Sequence, residues 1–186
     1  KLLLWVAGAT ASGKDTLIDE LLTPLWFTIL KTSAMLRRAI PLFYDWIEED
    51  ANSMSPVRLN ELGRGIREVH GEDFFTQLAI YEEIAWEQRV INGIRRGEEF
   101  DAIHRNNGAV VLVISSVQES LRRALEIRKR FGDTSIDEAS LKTHIEYEKR
   151  KVDILASKAD LVLRNNFGTK EEFIDFSRQK MIELLK

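Results

Sequence analysis

The chain contains 186 residues with a formal net charge of −3, and 44% of the residues are hydrophobic and 31% charged. This length and composition predict a single globular domain with a substantial core. The acidic balance disfavours a protein that binds nucleic acid electrostatically, and the lack of cysteine excludes disulfides, thiol catalysis and cysteine-based zinc sites. No apolar run spans a membrane and no signal-peptide pattern is present, so we expect a cytoplasmic protein without nucleic-acid or membrane partners.

The first predicted element is a strand, a glycine-bounded loop and a helix at the start of the chain. The apolar run Leu2–Ala7 ends at Gly8, and Gly13 and Lys14 follow with the spacing G-x-x-x-x-G-K. This is the spacing of a phosphate-binding loop (P-loop), in which backbone N–H groups point at phosphate oxygens and the lysine reaches the terminal phosphates. We therefore predict that ATP is bound by Gly8, Ala9, Thr10, Ala11, Ser12, Gly13, Lys14, Asp15 and Thr16.

The residue after Lys14 departs from the usual P-loop pattern. A serine or threonine hydroxyl normally ligates Mg²⁺ there, but this chain has Asp15, with Thr16 behind it. Aspartate is a good hard-oxygen ligand for Mg²⁺, although it adds negative charge beside the phosphates. We interpret the sequence GKDT as a variant loop that still uses Mg²⁺, with Asp15 as a metal ligand.

The rest of the chain alternates apolar, β-prone runs with helical patterns. Further strands are predicted at Trp26–Leu30, Arg89–Ile94, Ala109–Ser115 and Ala159–Leu163. Helices are predicted at Ala34–Glu49, with Phe43 and Trp46 on its buried side, and at Pro56–Val69, Glu72–Glu87, Glu98–Arg105, Gln118–Phe131, Ile136–Lys158 and Thr169–Leu184.

Five strands alternating with helices predict an α/β fold whose five-stranded parallel sheet is covered on both faces. No repeat or linker divides the chain, so residues 1–186 are expected to form one domain. Ligands of such sheets bind at the carboxyl ends of the strands. The segments predicted there are Gly8–Thr16, Thr32–Ser33, Asn92–Arg96 and Ser115–Ser116.

Five further segments match one family pattern: KTSAMLRRA (31–39), SPVRLNELGRGIREVHGEDFF (55–75), VINGIRRGEEF (90–100), SSVQESLRRALEIRKR (115–130) and ADLVLRNNFGTKEEF (159–173). With the loop, they resemble small P-loop kinases of the nucleoside monophosphate kinase and dephospho-CoA kinase type. The likeness is strongest to the predicted archaeal nucleotide kinases related to dephospho-CoA kinase. The GKDT loop also resembles that of some phage deoxynucleotide kinases.

The resemblance implies a three-layer P-loop fold with a helical acceptor-binding insert over residues 34–88 and a lid region over residues 122–150. It implies that Arg37 holds the acceptor phosphate. Arg95 and Arg96 follow a predicted strand end, so we expect one of them to face the cleft. The catalytic side chains implied are Lys14, Arg37, Arg95 and the lid arginines Arg123 and Arg128. The substrate-binding residues implied are Thr32, Ser33, Arg37, Arg67 and Arg95.

The match fails at one position near the expected metal. Asn92 stands where the family usually has an aspartate close to the Mg²⁺ shell. An asparagine orients a metal-bound water but supplies no charge. Our hypothesis is that Asp15 compensates, so that a carboxylate has moved from the strand end to the loop, and that Asp15 and Asn92 together serve the metal.

The predicted function is an ATP- and Mg²⁺-dependent transfer of the γ-phosphate to a nucleotide-like small molecule, either a (deoxy)nucleoside monophosphate or dephospho-CoA. The alternative is a regulatory nucleotide-binding protein whose phosphotransfer has decayed, since Asp15 and Asn92 both depart from the common pattern. We expect a monomer or a homodimer. The carboxylates of Asp73 and Glu146 are interpreted as structural, and the alternative for each is a catalytic or positioning role.

Overall fold

A central parallel sheet organises the molecule. The structure is a computed structural model, and it describes residues 2–47, 49–82, 88–94, 96–131 and 137–185. Within these residues the strands are β1 (Leu2–Gly8), β2 (Thr28–Lys31), β3 (Gln88–Ile94), β4 (Ala109–Ile114) and β5 (Leu161–Arg164). They lie in the order β2-β3-β1-β4-β5 with parallel pairing. The predicted five-stranded parallel sheet is confirmed.

Helices connect the strands and cover the sheet. They are α1 (Lys14–Leu17), continued by a π-helical turn (Ile18–Leu22) and a 3-10 turn (Thr23–Leu25), α2 (Thr32–Phe43), α3 (Pro56–His70), α4 (Phe74–Tyr81), α5 (Gly97–Arg105), α6 (Val117–Phe131), α7 (Glu138–Asp153), followed by a 3-10 turn (Ile154–Lys158), and α8 (Lys170–Leu184). In the part of the chain that the structure describes, none of these helices has the length and apolar character needed to cross a membrane.

Both faces of the sheet are buried. Successive side chains of a strand point to opposite faces, and helices cover each face. On one face, Trp5 of β1 packs with Phe100 of α5 in a cluster that also includes residues of α2, α3 and α4. On the other face, Val6 packs with Leu17 of α1 and Phe173 of α8. Trp5, Val6 and Leu17 are fully buried. The strand carboxyl ends are thereby fixed between two helical layers.

The predicted start of the second strand is wrong by two residues. The strand begins at Thr28 rather than Trp26. Trp26 follows the 3-10 turn with a left-handed φ of 64° and is 83% exposed. Its N–H donates to the Thr23 carbonyl at 3.0 Å, so the residue closes a helical turn instead of opening a strand.

The next helix is shorter than predicted and its two aromatic residues are not core. Helix α2 ends at Phe43 rather than Glu49. Pro41 lies in its last turn, where proline removes a backbone donor and disfavours continuation. The chain leaves the helix at Tyr44, whose hydroxyl donates to the Leu62 carbonyl at 3.1 Å. Phe43 is consequently 38% exposed and Trp46 is 68% exposed.

Candidate active site

The loop after β1 has the conformation that its glycine spacing predicts. The Ser12 N–H donates to the Ala9 carbonyl at 3.2 Å, and the Leu17 N–H donates to the Gly13 carbonyl at 3.0 Å. Ala11 and Gly13 have left-handed backbones, with φ of 56° and 102°. These two residues turn the chain from the central strand into α1. The predicted strand, loop and helix are therefore all present.

A turn after β5 supports this loop from the side. The Asn165 amide nitrogen donates to the Ser12 carbonyl at 2.9 Å, and Asn165 is 4% exposed. Arg123 of α6 donates to the backbone and side-chain oxygens of Asn165, both at 3.1 Å, and to the Phe167 carbonyl at 3.1 Å. Burial lowers the pKa of Arg123. One of its terminal nitrogens makes all three of these hydrogen bonds, and the other is buried without a hydrogen-bond partner among the described residues. The contacts place Arg123 as a support of the loop.

Gly13→Ala is expected to lower the free energy of unfolding by about 1–3 kcal/mol, because alanine strains a left-handed backbone. An added Cβ would also lie 2.2 Å from the Asn165 amide nitrogen. Denaturant unfolding followed by circular dichroism measures the change. Gly97→Ala is the matched control, since its Cβ would meet nothing closer than 3.6 Å. Equal unfolding midpoints for the two variants would contradict the role given to Gly13.

Lys14, Asp15 and Asn92 form a connected group at the carboxyl ends of β1 and β3. The Lys14 ammonium lies 2.7 Å from Asp15 Oδ2, and the Asn92 amide nitrogen donates to Asp15 Oδ1 at 2.9 Å. Burial raises the pKa of the Asp15 carboxyl, but Lys14, Asn92 and the charge of Lys31 outweigh it and hold that pKa below its usual value. Asp15 is therefore ionised at neutral pH. The two residues that were predicted to serve the metal together are in direct contact.

The residues of this group fit a Mg²⁺ ion. Asn92 is 8% exposed, and its side-chain oxygen is buried without a hydrogen-bond partner among the described residues. Across the described ranges, no three side chains of the metal-binding types form a cluster that could hold an ion alone. Mg²⁺ is commonly held by one or two carboxylates together with substrate phosphates and water. Asp15 and Asn92 suit that kind of site.

A cleft of about 700 Å³ opens beside the loop. Its described lining includes the loop residues Ala9, Thr10 and Lys14, the N-terminus of α2, the end of β3, and parts of α3, α5 and α7. Basic side chains outnumber acidic ones in this lining: Lys14, Lys31, Arg67, Arg96 and Lys151 face Glu99 and Glu148. The volume and charge of the cleft suit a small anionic ligand.

The predicted acceptor residues divide into three groups. Thr32, Ser33 and Arg67 line the cleft. Arg37 is not among the lining residues, and its guanidinium makes a 3.4 Å hydrogen bond to the Ser33 carbonyl within its own helix. Arg95 lies outside the described residues. Its neighbour Arg96 lines the cleft, as one of this pair was expected to do.

Arg67 is held in the cleft by an aromatic ring and a carboxylate. Its guanidinium lies 5.3 Å from the centre of the Phe75 ring and 3.8 Å from a Glu72 oxygen, and Arg96 contacts the same oxygen. Burial, followed by the charge of Arg96, lowers the pKa of Arg67, while Glu72 and Glu99 oppose that change. Its Nε is buried without a hydrogen-bond partner among the described residues. An anion beside Arg67 would therefore be stabilised.

The second lid arginine is not part of this lining. Arg128 is partly buried on α6, near the end of the helix, and it is absent from the described residues around the cleft. Arg123, engaged with the Asn165 turn, is absent as well. Their assignment to ATP binding stays a prediction.

Two buried carboxylates of the cleft, Glu99 and Glu148, were missed. Glu148 on α7 is 5% exposed, and one of its oxygens accepts from the Thr10 N–H at 2.7 Å and the Thr10 hydroxyl at 2.6 Å. The sequence carries a signal for it: Leu141, Ile145, Glu148 and Val152 recur at helical spacing, and all four are buried. A glutamate within an apolar helical stripe is seldom buried without a partner, whereas Glu146 lies off this stripe.

The sheet order and the loop define the class of the fold, which is that of the small P-loop kinases. The chain is similar to shikimate kinase from Bacteroides thetaiotaomicron at 17% identity, with a TM-score of 0.64 over 99% of this chain and 98% of that one. It is 18% identical to TT1252 from Thermus thermophilus, with a TM-score of 0.66 over 100% and 98% of the chains. Shikimate kinase from Acinetobacter baumannii in complex with shikimate is 16% identical, with a TM-score of 0.60 over 98% and 93%.

These likenesses confirm the predicted small P-loop kinase fold. No family model matches the sequence, and no curated protein matches it. At identities of 16–18%, the three solved structures share the fold with this chain. The finer resemblance to nucleoside monophosphate kinases and dephospho-CoA kinases stays a prediction.

Proposed function

We propose that the chain is an ATP- and Mg²⁺-dependent phosphotransferase that acts on a small anionic acceptor. The observation that carries the proposal is a single cleft whose lining includes both Thr10 and Lys14 of the loop and the two arginines Arg67 and Arg96. Phosphoryl transfer depends mainly on positioning and on neutralising charge, and a donor loop facing a basic acceptor pocket supplies both.

On the donor side, the loop and its neighbours would hold the triphosphate. Lys14 would contact the terminal phosphates once its 2.7 Å pairing with Asp15 is exchanged for a phosphate oxygen. Asp15 and Asn92 would hold Mg²⁺, and the bound ion would neutralise part of the negative charge of the triphosphate. The Ser12 hydroxyl is 1% exposed and has no hydrogen-bond partner among the described residues, so it could donate a further hydrogen bond if nucleotide binding brings a phosphate oxygen within reach.

On the acceptor side, Arg67 and Arg96 would bind an anionic group of the substrate. Guanidinium groups form paired hydrogen bonds to phosphate or carboxylate oxygens, which fixes the orientation of the acceptor. Thr32 and Ser33 line the same region at the start of α2. The Arg67 guanidinium lies over the ring of Phe75, and this ring adds an apolar surface to the lining of the cleft.

Three acceptor classes suit this arrangement. A (deoxy)nucleoside monophosphate or dephospho-CoA follows from the sequence resemblance and presents a phosphate to the arginines. Two of the similar solved structures are shikimate kinases, one of them in complex with shikimate, which adds a small carboxylate as a third class. All three present an anion and a hydroxyl or phosphate oxygen that can attack the γ-phosphate.

The test is ADP release from ATP and Mg²⁺ in the presence of each acceptor, with Lys14→Ala as the control. Acceptor-dependent ADP release that is lost in the variant would support the proposal and name the substrate. Binding of ATP without turnover on any acceptor would favour the alternative, a regulatory nucleotide-binding protein. Absence of nucleotide binding would contradict both functions.

Arg67→Ala is expected to lower kcat/KM for the acceptor about 10- to 100-fold, because a charged hydrogen bond contributes about 1.5–3 kcal/mol. The loss should lie mainly in KM for the acceptor, with KM for ATP nearly unchanged. Initial-rate kinetics with each substrate varied measures both. Arg64→Ala is the matched control, since Arg64 lies on the same helix with 71% of its side chain exposed. Equal kinetics for the two variants would remove Arg67 from the acceptor site.

A further inference from the structure

Glu148 is a buried carboxylate of the candidate active site, and neither the sequence nor the proposed chemistry assigns it a role. Glu148 lies in the middle of α7, on the face that packs against the domain, and is 5% exposed. Its nearest loop residue, Thr10, is 138 positions away in the chain. A carboxylate loses its hydration when it is buried, and this costs free energy unless hydrogen-bond partners compensate for the loss.

Those partners belong to the phosphate-binding loop. The Thr10 N–H donates to Glu148 Oε2 at 2.7 Å, and the Thr10 hydroxyl donates to the same oxygen at 2.6 Å. His144, one turn earlier on α7, places its Nε2 3.5 Å from the other carboxylate oxygen. Hydrogen bonds to an ionised acceptor are stronger than neutral ones. Glu148 is thus bonded to the loop through both a main-chain and a side-chain donor.

The next loop residue contacts the same helix by apolar packing. Ala11 packs against the cluster of Ala124, Leu141 and Ile145, of which the last two lie on α7. Ala11 has a left-handed backbone with φ of 56°, a conformation that is unfavourable for alanine and is kept only where neighbours enforce it. Helix α7 therefore contacts two consecutive loop residues, one through hydrogen bonds and the other through packing.

We propose that Glu148 is a positioning residue that holds the phosphate-binding loop in its phosphate-binding shape from helix α7. It acts through Thr10 and does not contact the phosphates. The hydrogen bonds fix Thr10, and packing against the cluster of Ala124, Leu141 and Ile145 fixes Ala11, so the backbone that precedes Ser12 and Gly13 is set before nucleotide arrives. Preorganised donors bind charge more strongly than donors that must first be ordered. This inference rests on the proposed function only in requiring that the loop binds a nucleoside triphosphate.

The opposite role for Glu148 makes the opposite prediction. A carboxylate that competed with phosphate for the Thr10 N–H would weaken nucleotide binding, and its removal would tighten it. The geometry favours positioning, because a single oxygen takes both Thr10 donors and Thr10 is followed by a residue in a strained conformation. The sign of the affinity change in a Glu148 variant therefore distinguishes the two roles.

The first experiment measures the Kd of the non-hydrolysable analogue AMP-PNP with Mg²⁺ by titration calorimetry. Glu148→Ala is expected to raise this Kd about tenfold, the effect of losing one charge-assisted contact, and Glu148→Gln less, since its carbonyl still accepts one donor. Glu146→Ala is the matched control on the same helix, and it should leave Kd within about twofold of the wild type. A Kd for Glu148→Ala that is unchanged or lower than the wild-type value would overturn the proposal.

A double-mutant cycle with Thr10 separates positioning from general destabilisation. Thr10→Val removes one of the two donors and should raise Kd above the wild-type value. Thr10→Ser keeps the hydroxyl donor and should bind with the wild-type Kd. If Glu148 acts through Thr10, Glu148→Ala combined with Thr10→Val will bind no more weakly than Glu148→Ala alone. Additive effects would overturn the proposal, because they would mean that the two side chains act on the nucleotide separately.

Two outcomes keep this inference distinct from the proposed function. Wild-type protein that binds no AMP-PNP would defeat the proposed function and this inference with it. Wild-type protein that binds the analogue while all Glu148 and Thr10 variants bind equally well would defeat the positioning role alone. Should Glu148→Ala fail to fold, Glu148→Gln takes its place in the cycle with Thr10→Val, and additive effects on Kd would again overturn the proposal.

Discussion

Lys14→Met is expected to lower acceptor-dependent ATP turnover by at least about 100-fold, the effect of removing one preorganised charge-stabilising donor. Lys14 lines the cleft, and only 13% of its side chain is exposed. Methionine keeps the length and apolar character of the side chain but supplies no charge. Because no other side chain of the described loop is cationic, the γ-phosphate would lose its nearest neutralising group. Initial-rate measurements of ADP release give the change in kcat.

The control for this variant is Lys170→Met. Lys170 lies at the start of α8, half of its side chain is exposed, and it pairs with Glu20 at 2.8 Å. An exposed ion pair contributes little, about 0–1 kcal/mol, so this variant should turn over at the wild-type rate. If Lys14→Met kept most of the wild-type turnover, the loop would not be the donor site, and the proposed function would be wrong.

What the sequence predicts well is what is encoded locally. The loop from Gly8 to Lys14 could be predicted because strand, glycines and helix are adjacent in the chain, and glycine alone tolerates the φ of Gly13 at no cost. The parallel sheet could be predicted because βαβ connections leave few alternatives. The sequence also placed the loop and the segment from Asn92 at the same edge of the sheet. The direct contact between Asp15 and Asn92 depends in addition on β1 and β3 being neighbours, which the structure shows.

What the sequence does not reveal depends on helix phase and on distant contacts. Helix α2 begins at Thr32, two residues earlier than predicted, and in this helix Leu36 lines the cleft while Arg37 does not. Glu148 and Thr10 are paired by tertiary packing across most of the chain. The role implied for Arg123 rested on its position in an arginine-rich segment, and its contacts with Asn165 depend on tertiary packing between α6 and the turn after β5.

Exchanging the metal-site residues tests whether a carboxylate has moved from the strand end to the loop. Asp15→Ser is expected to raise the Mg²⁺ concentration needed for half-maximal turnover about tenfold, because it removes the only ionised candidate ligand of the pair. Asp19→Ser is the control, since Asp19 is exposed on the helical turn after α1 and should leave the Mg²⁺ requirement unchanged. A wild-type Mg²⁺ requirement in Asp15→Ser would contradict the hypothesis.

The single variant Asn92→Asp is expected to weaken Mg²⁺ binding by a different cause, the repulsion between two carboxylates. Asn92 now donates to Asp15 Oδ1 at 2.9 Å, and a second carboxylate there would replace a donor by a like charge. Two carboxylates at hydrogen-bond distance cannot both ionise freely, so the pKa of one must rise. The variant should therefore bind Mg²⁺ more weakly at low pH than at high pH, which a Mg²⁺ titration at several pH values measures.

The double variant Asp15→Ser with Asn92→Asp is the decisive member of the set. It removes the like-charge contact, restores one carboxylate to the strand end, and places a hydroxyl after Lys14, as in the usual P-loop pattern. Its Mg²⁺ requirement should return to within about twofold of the wild-type value, although each single variant is impaired. Failure of the double variant to recover beyond Asp15→Ser would mean that Asp15 acts on Lys14, its 2.7 Å neighbour, and not on the metal. Recovery would mean that the carboxylate is interchangeable between the two positions, because each one places it against the same ion.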